Sequence, residues 1–69
     1  MRFKAYTQKG WNQEKFYIED ENERDLVVHA DSAEEAESHF IKYIYNNSLY
    51  SKEETKKWLE DNPLYLVEC

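Results

Sequence analysis

The chain has 69 residues, a net charge of −6 and a single cysteine. That length holds one domain, and one cysteine excludes an internal disulfide framework or a set of metal thiolates. No apolar run approaches the roughly 20 residues a membrane-spanning helix needs, and an acidic surface repels nucleic-acid phosphates and anionic membranes.

Arg2 to Gln8 alternates, with Phe3, Ala5 and Thr7 on one side and Arg2, Lys4, Tyr6 and Gln8 on the other. That period of two predicts a strand. Lys9 to Gln13 is polar and holds the only glycine, Gly10, so it reads as a hairpin loop. Lys15 to Glu19 alternates again and predicts a second strand, with Phe16 and Ile18 opposite Tyr17.

Asp20 to Asp25 carries no apolar residue and reads as an exposed turn, in which like charges disfavour ordered packing. Leu26 to Ala30 is short and rich in β-branched residues, which predicts a third strand. In that strand Leu26, Val28 and Ala30 share one face.

A helix follows. Asp31 with Glu34, or Ser32 with Glu35 one residue later, has capping-box spacing. Ala33, Ala36, Phe40, Tyr43 and Ile44 recur at helical intervals, widened by Ile41 and Tyr45, until Asn46-Asn47. Ser51 with Glu54 caps a second helix over Lys52 to Asp61, ended by Asn62-Pro63 because the residue before proline avoids the helical region. Leu64 to Val67 predicts a fourth strand.

The order β-β-β-α-α-β predicts a single small α+β domain over residues 1–69, an antiparallel sheet with two helices packed on one face. Three strands in succession suggest a meander, with the last strand returning beside an edge strand such as the first.

Catalytic chemistry has little to stand on. Cys69 is the last residue of the sequence and reads as an incidental thiol in a reducing cytosol, able to link two chains only if oxidised. Ser32 and Ser51 are accounted for as caps. His29 falls on a strand and His39 on a helix, outside metal-ligand spacing. His39 lies four residues after Glu35, which reads as a surface pair. Asp20, Asn22 and Glu23 lack the glycine and the spacing of a calcium loop. Asn46-Asn47-Ser48 matches the glycosylation pattern by chance, since the start carries no secretory signal pattern. The expectation is no enzyme, no cofactor and no metal, in a cytoplasmic protein.

Charge and aromatics carry what functional signal there is. Residues 1–18 sum to +3, residues 19–37 to −8 and residues 38–69 to −1. Asp31, Glu34, Glu35 and Glu37 suit a helix start, where the dipole favours negative charge. Glu19, Asp20, Glu21, Glu23 and Asp25 are left with no role beyond solvating a turn, and they are the expected partner-binding acids. They point to a basic protein partner, with no direct nucleic-acid or membrane binding.

In size, charge and few breakers the chain resembles, as a class, the small acidic inhibitors of phages and mobile elements, anti-CRISPR and anti-restriction proteins among them. That resemblance implies a blocker of a nucleic-acid-binding protein, whose carboxylates imitate the charge of phosphates. The alternative is a self-associating or accessory domain, since tyrosines are too many to bury in so small a core. Tyr6 and Tyr17 fall on the face opposite Phe3, Phe16 and Ile18, beside Lys4 and Lys15, where a protein partner or a homodimer could bind. Trp11 at the first loop is either an exposed anchor or folded over the hairpin.

Overall fold

In the computed structural model, residues 1–9 and 13–69 are described. Their elements run β1 (Arg2–Lys9), β2 (Glu14–Tyr17), β3 (Val28–His29), α1 (Ala33–Asn47), α2 (Lys52–Asp61) and β4 (Tyr65–Glu68). This is the α+β order read from the sequence.

The sheet is antiparallel and every strand pairs with β1. Tyr6 is registered with both Tyr17 and Tyr65, and Phe3 with both Val28 and Glu68. A residue has only two lateral neighbours, so β4 takes one edge of β1 while β2 and β3 share the other, end to end. The expected meander is therefore corrected, because β3 pairs with β1. After the Ile18 amide donates to the Ala5 carbonyl at 2.9 Å, the chain leaves that edge. Glu19 bridges Asp25, and the Leu26 amide returns to the Ile18 carbonyl at 2.8 Å. Val28 then fills the vacated edge opposite Phe3.

The third strand is also shorter than Leu26 to Ala30, because Leu26 is committed to Ile18 and the Ala30 amide reaches only Met1. Its alternation survives. Ala30 is buried, and Leu26 and Val28 pack on the core.

The alternation of β1 sends Phe3, Ala5 and Thr7 inward, where all three are buried. Ala36 and Phe40 of α1 are fully buried, and α1 packs against β1 and β3. Ile18, Leu64 and Leu66 complete the cluster. Not every residue expected to face inward joins it. Phe16 shares the inner face through its register with Thr7 but stays 43% exposed, and Ala33 is exposed.

Serines start both helices. The Ser32 hydroxyl accepts from the Glu35 amide, and Glu35 Oε2 accepts in return from the Asp31 amide. Ser32, rather than Asp31, is the cap. The Ser51 hydroxyl accepts from the Glu54 amide. Either bond satisfies one amide that the first turn leaves without a helical partner. At its far end α2 closes on Asn62, whose backbone amide and side-chain nitrogen both donate to the Trp58 carbonyl. This helix packs on α1 through the buried Thr55, whose Oγ1 lies 2.9 Å from both the Ser48 hydroxyl and the Ser51 carbonyl.

Candidate interaction surfaces

The acidic turn is ordered, contrary to the expectation that repulsion would keep it loose. Asp20 Oδ1 accepts from the amides of Asn22 at 2.8 Å and Arg24 at 3.2 Å. The Asp20 amide donates to the Arg24 carbonyl at 2.7 Å, and Glu23 takes a left-handed φ of 59°. An aspartate that accepts from amides two and four residues on replaces bonds the backbone cannot make for itself. Two side chains from other elements tie the turn down. Lys4 Nζ is 3.3 Å from Asp25 Oδ2, and the Tyr43 hydroxyl donates to the Glu19 carbonyl at 3.1 Å. Asp20 and Asp25 thus have structural work, which corrects the reading that these acids only solvate a turn. Glu19, Glu21 and Glu23 are exposed.

The face of the sheet away from α1 carries a row of tyrosines. Tyr6 of β1 lies between Tyr17 of β2 and Tyr65 of β4, with ring centroids 5.4 Å and 5.5 Å away. The Tyr17 ring is tilted 52° and the Tyr65 ring is close to parallel at 20°. Lys15 Nζ sits 4.9 Å from the Tyr6 centroid, within cation–π range. By register, Arg2, Lys4, His29 and Val67 share this face. Sequence reading placed Tyr6 and Tyr17 here and missed Tyr65, although its alternation with Leu64 and Leu66 would have found it. Trp11 lies outside the described residues.

A third surface escaped sequence analysis. A groove of about 340 Å³ is lined by Tyr43 and Ile44 of α1, Thr55 and Trp58 of α2, and Tyr50 of the segment between them. Three hydrogen bonds run among its lining residues. Asn47 Nδ2 donates to the Tyr43 carbonyl at 2.8 Å, and the Ser48 hydroxyl accepts from Thr55 and from the Tyr50 amide. What it offers is mainly apolar. Beside it Leu49 is wholly exposed. The signal was Tyr43 and Ile44, which the sequence places in the apolar stripe of the first helix.

His39 Nε2 lies 3.8 Å from Glu35 Oε1, both side chains being about half exposed, as a surface pair should be. Among the described residues, no three His, Cys, Asp or Glu side chains are grouped to hold a metal ion, and no helix is long and apolar enough to cross a membrane. Cys69 is exposed. Comparison with protein-family models, curated proteins and solved structures found no match.

Proposed function

We propose that the protein is a non-enzymatic cytoplasmic interaction module that occupies a basic, nucleic-acid-binding surface of another protein. This is the mode of small acidic inhibitors of phages and mobile elements, such as anti-CRISPR and anti-restriction proteins. The observation that carries the reading is the ordered acidic turn. Asp20 spends its own carboxylate on the Asn22 and Arg24 amides and thereby fixes the backbone that presents Glu21 and Glu23. Carboxylates on a fixed turn lose little conformational freedom on binding, so more of the interaction appears as affinity. With a net charge of −6 the whole chain adds long-range attraction to a basic groove.

The test replaces Glu21 and Glu23 by lysine; both are exposed, and the one bond either brings to the turn, from the Glu23 backbone amide to the Asp20 carbonyl at 3.1 Å, is kept by lysine. The wild-type chain should capture from host lysate a protein that nucleic acid displaces and high salt releases, and the double variant should not. Equal capture by both chains would refute the reading.

The tyrosine row favours a second reading, in which a protein segment carrying carboxylates lies on the open face against Arg2, Lys15 and the rings of Tyr6, Tyr17 and Tyr65. Tyr65→Ser would then abolish capture, while the lysine substitutions in the turn would leave it intact.

A further inference from the structure

We propose that the groove lined by α1 and α2 binds a small quaternary ammonium compound of the choline type. Tyr43 of α1, Trp58 of α2 and Tyr50 of the connecting segment all line it. No ring contact joins any two of these three residues, and no lysine or arginine among the described residues stacks on them. Their π faces are therefore not taken up by one another or by a cation of the chain. Aromatic side chains grouped around one hollow attract a cation through the negative face of each ring, tryptophan most strongly.

The local field has the sign such a ligand needs. The groove lies at the C-terminal end of α1, where Asn47 is the last residue and Ser48 the cap, and that last turn holds no basic residue. A helix end of this kind carries about half a negative charge. Thr55 also brings the N-terminal half of α2 to the groove, but Glu53 and Glu54 in its first turn outweigh the opposite half-charge there. None of the lining residues is charged, and the chain as a whole carries −6.

Hydrogen bonding favours a methylated cation over a primary one. A quaternary ammonium has no N–H and needs no acceptor. Among the lining residues Asn47 Nδ2 already donates to the Tyr43 carbonyl and Thr55 to the Ser48 hydroxyl, and no carboxylate is present to hold a primary ammonium. With its charge spread over methyl groups, the quaternary ion also loses less hydration on entry. A groove of about 340 Å³ is at the small end of ligand pockets, which suits a compact head group. The groove is separate from Glu21 and Glu23, so it can fill whether or not the acidic turn holds a partner.

NMR titrations of the whole chain test the proposal. Choline should shift the Trp58 indole and Tyr50 ring signals with a dissociation constant of about 0.1–10 mM. Its neutral isostere, with a tert-butyl group in place of trimethylammonium, has the shape without the charge. Ethanolamine has the charge without the methyl groups. Each should bind about ten-fold more weakly than choline. Trp58→Leu and Tyr50→Leu should each weaken choline by about five-fold or more, and Tyr50, 67% exposed, can be replaced without disturbing the core. A peptide carrying trimethyllysine, the same group borne by a protein, should bind no more tightly than choline. Absence of a Trp58 shift with choline up to about 50 mM overturns the proposal. So does a neutral isostere or ethanolamine that matches choline, a trimethyllysine peptide that binds more tightly, or a choline affinity that Tyr50→Leu leaves unchanged.

Discussion

The hydroxyl of Tyr43 donates to the carbonyl of Glu19 at 3.1 Å, across 24 residues of sequence. It links α1 to the root of the acidic turn, and the same side chain walls the groove. Tyr43→Phe removes this bond and keeps the ring. The loss should be about 1 kcal/mol of unfolding free energy in urea titrations, the usual net worth of one such bond. The Asp20 amide, bonded to the Arg24 carbonyl, should exchange with deuterium faster than in the wild type. An unchanged rate would mean that the turn holds its shape without the helix.

Asp20 and Glu21 are adjacent acids with different work. Asp20→Ala strips the acceptor from the Asn22 and Arg24 amides and should cost about 1–2 kcal/mol, as loss of a capping side chain does. Glu21→Ala should fall within about 0.5 kcal/mol of wild type, as exposed substitutions do. Equal losses in thermal melts would show that charge, and not hydrogen bonding, governs the turn.

Glu23 has a φ of 59°, where a side chain crowds the backbone and glycine does not. Glu23→Gly should relieve that crowding, though it also loosens the unfolded chain. The two effects should leave stability unchanged or raised by up to about 1 kcal/mol. A loss above about 1 kcal/mol in chemical denaturation would mean that the Glu23 side chain makes a contact that offsets its strained backbone.

Phe40 is fully buried between the sheet and α1. Phe40→Ala removes a ring from a close-packed core and should cost about 3–5 kcal/mol. Small domains have little more than that in total, so the variant should be largely unfolded by circular dichroism at room temperature. A cooperative melt close to wild type would show that the core can close over the gap.

Much of this architecture was legible from local pattern. The alternation Phe3-Ala5-Thr7 against Lys4-Tyr6-Gln8 assigned both faces of β1, and the Ser51–Glu54 spacing located the cap of α2, while two equivalent spacings left the cap of α1 between Asp31 and Ser32. Those signals need only neighbouring residues. What was not legible depends on pairs far apart. Lys4 and Asp25 are 21 residues apart, so a run of acids reads as repulsive until its counter-ion comes from another strand. The meander failed for a similar reason. Adjacent strands usually pair, but Val28 finds its apolar partner on Phe3, and no local pattern reports that choice. The groove stayed hidden because Tyr43, Ile44 and Trp58 are residue types that fill cores, and no local pattern reports a gap between two helices that are apart in sequence.

All pairing in the sheet converges on β1, the first of its strands in chain order, while β4, on its second edge, is the last of them. Until residues 65–68 arrive, β1 holds its β2–β3 side and leaves a full row of amides and carbonyls bare on the other. That edge is a template for any extended chain nearby. Synthesis therefore leaves this edge open to mispairing until β4 has been made, and dilution or a chaperone covering residues 3–6 should raise the yield of folded protein.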